Sequence, residues 1–265
     1  MIRTLASEDL RLAWELADAA DEITMARFRA ADLVVETKPD MTPVSEADRA
    51  VEERVQELLA QRRPQDGLLG EEFGGDGAGG RRWIIDPIDG TKGYVRGMPV
   101  WATLLALEEQ GEVTAAVVSA PAMGRRWWAA RGHGAFTNRE SAAEQSRPLK
   151  VSAIEALEDA QVCYGDVDWY ERTGHLEGLL ALIRSCWRAR GFGEFWQYML
   201  VAEGLAEVAS DPSVKLWDLA APMLVVQESG GRFSDFTGLE TADGGSGLAS
   251  NGFLHDAALS ILTEY

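Results

Sequence analysis

The sequence WIIDPIDGTKGY, residues 83–94, places two aspartates three positions apart directly after an apolar run. One polar residue is enough to end a buried strand, so the second acid needs another explanation. If the strand ends at Asp86, the proline that follows forces a bend, and Asp89 can return to the same point. Gly90 and Thr91 then begin a short helix or turn, where free backbone N–H groups can bind an anion. The stretch therefore predicts two carboxylates beside an anion-binding turn.

Length and composition are those of an ordinary globular protein. The chain has 265 residues and is 46% hydrophobic, enough for one large domain or two small ones with a substantial core. It has no run of 18 apolar residues, and its acid-rich N-terminus does not resemble a signal peptide, so we expect no membrane contact. Two cysteines, Cys163 and Cys186, cannot form a disulfide framework for this size, which favours a cytoplasmic protein. The net charge of −18 opposes binding to nucleic acid.

Hydrophobic periodicity predicts a mixture of helices and strands. Residues 7–30 and 45–63 have the pattern of helices, and a loop with seven glycines covers residues 67–80. Later strands and helices do not alternate regularly, which indicates layered α+β or α/β sheets and not a barrel. The polar stretch NRESAAEQSRP marks a boundary. We therefore expect an N-terminal half, residues 1–145, and a C-terminal half, residues 146–265.

Further acids lie at the edges of predicted elements: the glycine-rich loop, the first turn of the second helix and the start of a later helix. Clustered carboxylates repel and raise each other's pKa, and a hard divalent cation removes that cost. Mg²⁺ prefers a few carboxylates together with waters and substrate phosphate. The three histidines, His133, His175 and His255, are scattered and show no zinc-binding spacing. The acids concerned are Glu71, Glu72, Asp48 and Asp218.

Each acid also has an ordinary structural explanation. Ser45 and Asp48 fit a variant of the capping box, which would only tie off the second helix. Asp218 could oppose the dipole at a helix N-terminus. An aspartate followed by glycine is a common turn pair, and adjacent glutamates in a glycine loop are usually solvated. The prediction of a metal-bound phosphate site therefore depends on the combination of acids and not on any single one.

The combination resembles the inositol monophosphatase family of Mg²⁺-dependent, lithium-sensitive phosphatases. Three blocks carry the resemblance: GEE at 70–72, WIIDPIDGTKGY at 83–94 and WDLAAPMLVVQESGG at 217–231. The segments GHGAFTN and LASNG are further landmarks in the same order. The signature departs from the common form at Gly93 and Tyr94, where Asn-Phe is usual. The resemblance implies an αβαβα sandwich that assembles as a homodimer, with the site between the two halves of the chain.

The resemblance also implies a two-metal centre with two or three Mg²⁺ ions per site. Glu71, Asp86 and the Ile88 carbonyl would hold one ion. Asp86, Asp89 and Asp218 would hold the second, with Asp86 bridging. Such a centre activates a water for in-line attack on a small phosphorylated substrate, without a covalent phosphoenzyme.

The remaining implied roles concern water and phosphate. Thr91, hydrogen-bonded with Asp48, would orient the attacking water at the ion held by Glu71. The backbone amides of Gly90 and Thr91 would bind phosphate oxygens. Glu72 would lie next to the metal ligands and help to position them without binding the metal itself.

The leaving group is indicated by two stretches, VRGMPVWATLLAL and ARGFGEFWQYMLVAEG, which are similar to the histidinol-phosphate phosphatase branch of the family. Histidinol phosphate carries an ammonium group and an imidazole, which favour an acidic pocket. Asp211 matches the family position that contacts the rest of the substrate, Glu194 is a second acidic contact, and Arg190 lines the same pocket. Glu194 and Asp211 fit equally well as caps at element ends.

Two other functions stay open on the sequence. Inositol monophosphate is the alternative substrate, because the core motifs do not separate polyols from amino alcohols. Some family members bind the RNA synthesis machinery, but such a module would need a basic surface, which a charge of −18 opposes.

Overall fold

The computed structural model describes residues 7–39, 42–75, 80–139 and 146–264. The α-helices in these ranges are 5 to 20 residues long. The α-helices are α1 (Glu8–Arg27), α2 (Glu46–Arg62), α3 (Thr91–Val95), α4 (Val167–Thr173), α5 (Leu176–Ser185), α6 (Glu194–Ala202), α7 (Leu216–Glu228) and α8 (His255–Thr263).

The strands form two large sheets and one short hairpin. They are β1 (Val35–Thr37), β2 (Pro43–Ser45), β3 (Gly67–Gly70), β4 (Arg81–Asp89), β5 (Ala102–Glu109), β6 (Glu112–Ala120), β7 (Arg125–Ala130), β8 (Ala135–Arg139), β9 (Arg147–Pro148), β10 (Gln161–Tyr164), β11 (Arg188–Arg190), β12 (Val208–Asp211), β13 (Arg232–Ser234) and β14 (Gly247–Ser250). The first sheet has the order β3-β4-β5-β6-β7-β8-β9 and the second β11-β10-β12-β14-β13, while β1 pairs with β2.

Alternation along β4 shows how the layers form. Trp83 and Ile85 pack with α1 and α2 on one face of the first sheet, whereas Ile84 packs with α6 and α7 on the other. Side chains alternate across a strand, so a strand that is apolar on both faces must be covered twice. The second sheet packs on the other side of α6 and α7, and α5 and α8 cover its outer face. The predicted αβαβα sandwich is confirmed.

Most predicted helices and strands are present, with one difference that matters for the site. The loop predicted over residues 67–80 begins as strand β3, whose Leu68 pairs with Trp83 in parallel register. Parallel pairing to a buried strand outweighs the low strand preference of the two flanking glycines. Glu71 therefore follows directly after strand β3, and the pairing of β3 in the sheet fixes the position of its backbone.

Contacts cross between the two predicted halves. Glu203, at the end of α6, accepts a hydrogen bond from Trp127 Nε1 at 2.8 Å and lies 2.8 Å from Arg125 Nη2. Strand β9 lies beyond the predicted boundary at residue 145 and pairs with β8 of the first sheet. The division at 145 stays a prediction. None of the helices in the described ranges has the length and apolar content needed to cross a bilayer.

Candidate active site

Strand β4 carries two aspartates on the side of the first sheet that faces α6 and α7. It does not end at Asp86 but continues to Asp89, and its pairing with β5 slips between these two residues. Residues three apart on a regular strand point to opposite faces, so the slip allows both carboxylates to face the same side. The predicted meeting of Asp86 and Asp89 therefore occurs through an irregular strand and not through a strand end.

Helix α7 brings a third carboxylate from the C-terminal half. Asp218 lies in its first turn and accepts a hydrogen bond from the Lys215 backbone N–H at 2.7 Å. One oxygen from each of Asp86, Asp89 and Asp218 lies within 4.8 Å of the others. Asp86 and Asp89 come from the first sheet and Asp218 comes from the helix layer that packs against it, so the fold brings the three acids together.

The cluster is electrostatically unfavourable without a cation. Asp86 is 2% exposed, and burial, followed by the charges of Glu71, Asp89 and Asp218, raises its pKa well above the ordinary value. Burial, Glu194 and Asp218 raise the pKa of Asp89, and burial raises that of Asp218 to about 6. A donor set made only of carboxylate oxygens fits a hard divalent cation such as Mg²⁺ and not zinc.

Glu71 and Glu72 lie beside this cluster and share a lysine. Lys38 Nζ is 2.7 Å from Glu71 Oε1 and 2.6 Å from Glu72 Oε1. The negative charge of Glu71 also contributes to the raised pKa of Asp86. These contacts exclude the alternative of a freely solvated glutamate pair.

Thr91 connects the acidic cluster to α2. Its Oγ1 donates to the Ile88 carbonyl at 2.9 Å and lies 3.3 Å from Asp48 Oδ1. The other oxygen of Asp48 accepts from the backbone N–H and the hydroxyl of Ser45, at 2.8 and 2.6 Å. Burial raises the pKa of Asp48 to about 6. The capping box is thus present, and the same carboxylate still reaches the site.

The turn after β4 requires glycine. Gly90 has φ +88°, and a Cβ there would lie 3.0 Å from the Val100 carbonyl oxygen and 3.2 Å from Glu194 Cγ. The amide of Phe195, in the first turn of α6, donates to Asp89 Oδ2 at 2.6 Å. The start of α6 therefore lies against the end of β4, and Glu194 is placed beside the predicted phosphate-binding turn.

Gly93, the departure from the usual signature, lies in a tight part of the same turn. A Cβ there would stand 3.2 Å from the Val100 carbonyl oxygen. Tyr94 is buried, and its hydroxyl donates to the Thr24 carbonyl at 2.7 Å. The tyrosine hydroxyl thus ties the turn to α1.

The other two residues predicted to contact the leaving group differ in their surroundings. Asp211 Oδ2 accepts hydrogen bonds from Tyr198 OH at 2.7 Å and from Gln197 Nε2, and burial raises the pKa of Asp211 to about 8. Its environment therefore favours a neutral acid near pH 7. Arg190 is exposed on the edge strand β11, and its Nη1 donates to the Ala189 carbonyl at 2.7 Å. Their roles towards a substrate stay predictions.

Sequence reasoning missed Glu52. This glutamate lies on α2 one turn after Asp48, is 1% exposed, and contacts the backbone of the loop that carries Glu71 and Glu72. The spacing of four residues puts Glu52 and Asp48 on one helix face and was the only available signal. His255, by contrast, lies buried between Ser234 and Ser250, away from the acids.

Comparison with known proteins identifies the family of the chain. The model of the inositol monophosphatase family matches residues 6–265. The chain is 52% identical to a histidinol-phosphatase of Streptomyces coelicolor, covering 97% of each chain, and 50% identical to one of Mycobacterium tuberculosis, covering 97% and 99%. The solved structure of a Thermotoga maritima IMPase superposes with a TM-score of 0.86 at 29% identity, covering 97% of this chain and 98% of the other. A family match over nearly the whole sequence, on the fold and acids described above, means that the chain belongs to the inositol monophosphatase family.

Proposed function

We propose that this protein is a Mg²⁺-dependent phosphomonoesterase that hydrolyses histidinol phosphate to histidinol and phosphate, a step of histidine biosynthesis. The observation that carries the reaction class is the cluster of Asp86, Asp89 and Asp218, three buried or half-buried carboxylates within 4.8 Å. The substrate is supported by near-full-length identity of 50% and 52% to two histidinol-phosphatases.

The ligands present suit two ions. Glu71, Asp86 and the Ile88 carbonyl would hold one Mg²⁺, and Asp86, Asp89 and Asp218 would hold a second, with a third ion compatible with the family. The Ile88 carbonyl accepts one hydrogen bond from Thr91, and its second lone pair is left for a ligand role. When bound, Mg²⁺ lowers the pKa of a coordinated water and offsets negative charge that develops on the leaving oxygen.

The chain's own groups would orient the nucleophile and the phosphate. Thr91 Oγ1 donates towards Ile88 or Asp48, so its lone pairs are free to accept a proton of the attacking water. Asp48, fixed by Ser45 through one oxygen, keeps its other oxygen towards Thr91 and holds that hydroxyl in place. The amides of Gly90 and Thr91 would bind phosphate oxygens at the start of α3.

Recognition of the leaving group would fall to Glu194, Asp211 and Arg190. Glu194 is exposed, and its Cγ would lie 3.2 Å from a Cβ at Gly90, so its side chain lies beside the turn proposed to bind phosphate. A carboxylate in this position suits pairing with the ammonium group of the substrate. The negative charges of Glu194 and Asp218 contribute to the raised pKa of Asp211, which supports a role for Asp211 in the same pocket. We further propose that the protein is a cytoplasmic homodimer. We also propose that it does not bind nucleic acid, because its net charge of −18 opposes such binding.

The test compares phosphate release from histidinol phosphate and from inositol 1-phosphate in Mg²⁺, with Asp89→Asn as the blank. We expect kcat/KM to favour histidinol phosphate by about 100-fold or more. Glu194→Gln should lower kcat/KM for histidinol phosphate and leave the inositol ester unaffected. Glu171→Gln, at an exposed position on α4, is the matched control.

Each alternative outcome contradicts a different part of the proposal. Preference for the inositol ester would contradict the substrate and leave the phosphatase class in place. Failure to release phosphate from either ester, with Mg²⁺ bound, would contradict the assigned reaction.

A further inference from the structure

We propose that Glu52 is a positioning residue that holds the backbone around Glu71 and thereby sets the affinity of the site for Mg²⁺. This inference rests on the proposed function, because it assumes that Glu71 is a metal ligand. Glu52 itself would touch neither metal nor substrate. Its action would pass through the main chain of residues 70–73.

Both oxygens of Glu52 are used on consecutive amides of this loop. Oε2 accepts from the Glu72 backbone N–H at 2.8 Å, and Oε1 accepts from the Phe73 backbone N–H at 3.0 Å. On the other side, the Glu71 amide donates to the Ile85 carbonyl of β4 at 3.3 Å. The peptide units on both sides of the Glu71 side chain are therefore fixed, one to the sheet and one to α2.

Gly70 shows how closely the loop surrounds the carboxylate. A Cβ at this position would lie 2.0 Å from Glu52 Oε1 and 2.5 Å from Oε2. Gly70 and Gly74 also exchange two backbone hydrogen bonds at 3.1 Å, which close the loop into a ring of five residues. A side chain at position 70 and the Glu52 carboxylate cannot occupy the same space, so the two residues form one unit.

A carboxylate is required here and an amide would not replace it. Both partners of Glu52 are N–H donors, and an ionised carboxylate offers acceptors on both oxygens. In a glutamine of the same shape, the NH₂ group would face one of these N–H donors. That donor would lose its partner in a buried position, which costs free energy. Two N–H donors at this position therefore favour an ionised glutamate over a glutamine.

The location of this carboxylate points to function as well as folding. Glu52 is 1% exposed and adds another negative charge behind Glu71 and Glu72. Burying one more acid near others is unfavourable, and neutral side chains can satisfy loop amides elsewhere in proteins. Groups that orient ligands of a metal site typically alter metal affinity when changed. Positioning of Glu71 accounts for an acid at this place.

The test is Mg²⁺ binding, measured by titration calorimetry on the metal-free full chain without substrate. Glu52→Gln should raise the Kd for Mg²⁺ on the order of 10-fold. Glu53→Gln removes the same charge from an exposed neighbour on α2 and should leave the Kd within about twofold. In activity assays, Glu52→Gln should raise the half-saturating Mg²⁺ concentration in parallel, and kcat should recover at high Mg²⁺.

A merely structural role gives a different result. Glu52→Gln would then lower the Tm and leave the Kd for Mg²⁺ as in the wild type, which would overturn the inference. If Glu52→Gln does not fold, Glu52→Asp keeps both oxygens but withdraws them by one methylene. It should raise the Kd several-fold, and an unchanged Kd would also overturn the inference.

The same titrations separate this inference from the proposed function. A wild-type chain that binds no Mg²⁺ would contradict both. A wild-type chain that binds Mg²⁺ but hydrolyses neither ester would contradict the proposed function alone, because the Kd of Glu52→Gln still decides the role of Glu52.

Discussion

The helix starts at α2 and α7 have the same local geometry but differ in how their aspartates are held. In each, an aspartate in the first turn accepts a hydrogen bond from the backbone N–H three residues earlier: Asp48 from Ser45 at 2.8 Å, and Asp218 from Lys215 at 2.7 Å. In each, the pKa of the aspartate is raised to about 6, chiefly by burial. In each, one carboxylate oxygen caps the helix and the other is free for the site.

The difference lies in how tightly the capping oxygen is held. Asp48 is fully buried, and Ser45 donates to it with its hydroxyl as well as its amide. Asp218 is half-buried, and Lys215 contributes no such donor to its cap. The first aspartate is therefore suited to orienting Thr91, and the second is suited to binding a cation. A helix cap and a functional acid are compatible interpretations of one residue.

The largest effect should come from Asp218→Asn. The variant keeps an acceptor for the Lys215 amide but loses a charged ligand, so phosphatase activity should fall about 10³-fold. Folding should be preserved, because one fewer negative charge remains in the cluster. Activity at saturating Mg²⁺ and Tm measure the two effects. Asp243→Asn, at an exposed position, is the control. Unchanged activity would remove Asp218 from the metal site.

Asp48→Asn should have a smaller effect, about 10²-fold on kcat. The amide still accepts from Ser45 N–H, but it no longer attracts the Thr91 hydroxyl as an ion does. Mg²⁺ affinity should stay near the wild-type value, unlike that of Asp218→Asn. Calorimetric titration with Mg²⁺ distinguishes the two variants. A loss of Mg²⁺ affinity equal to that of Asp218→Asn would erase the proposed difference between the helix starts.

The three acids that the structure brings together could be identified from the sequence because each belongs to a local pattern. Two aspartates around a proline, and an aspartate in the first turn of an apolar helix, are readable within single segments. The layered fold was also predictable, because strands and helices mix without regular alternation, and the resemblance to the family implied the αβαβα order of the layers. The slip in β4 was not, because it depends on how β4 pairs with β5.

Other features depend on packing between distant segments. Glu52 meets the amide of Glu72, 20 residues away, only because α2 lies across the end of β3. The donors to Asp211 are Gln197 and Tyr198 of α6, and their contact with Asp211 does not follow from any motif. Periodicity shows which residues are buried, but not which buried polar groups face one another.

Asp48 and Asp218 should also make the stability of the protein depend on pH. In the metal-free protein the pKa of Asp48 and of Asp218 is raised from 3.8 to about 6. The folded state therefore binds these protons more tightly than the unfolded state. The stability they contribute is full below about pH 4 and is lost as pH rises through about 6. Mg²⁺ offsets the resulting charge, so it should raise the Tm more at pH 8 than at pH 5.

Variants at Asp218 and Asp48 should show how much each aspartate contributes to this pH-dependent increase in Tm from Mg²⁺. Asp218→Asn should reduce the extra gain in Tm from Mg²⁺ at pH 8, because a ligand is lost. Asp48→Asn should raise the metal-free Tm at pH 8 and keep most of the gain. Calorimetric melting in EDTA and in Mg²⁺ at both pH values measures these changes. An equal gain from Mg²⁺ at pH 5 and pH 8 would contradict the assignment of charge repulsion to this cluster.

The smallest effect concerns the capping residues themselves. Ser45→Ala removes the hydroxyl that donates to Asp48 at 2.6 Å and accepts from the Ala47 amide at 3.2 Å, so it should cost about 1 kcal/mol of the free energy of unfolding. Lys215→Ala keeps the backbone N–H that Asp218 uses and removes only an exposed side chain, so it should cost less than about 0.5 kcal/mol. Urea unfolding measures both changes. Ser45→Ala should also lower kcat several-fold, since a less firmly held Asp48 orients Thr91 less well. Equal costs for the two variants would mean that the hydroxyl of Ser45 does not distinguish the helix starts, and the tighter hold on Asp48 would then come from burial alone.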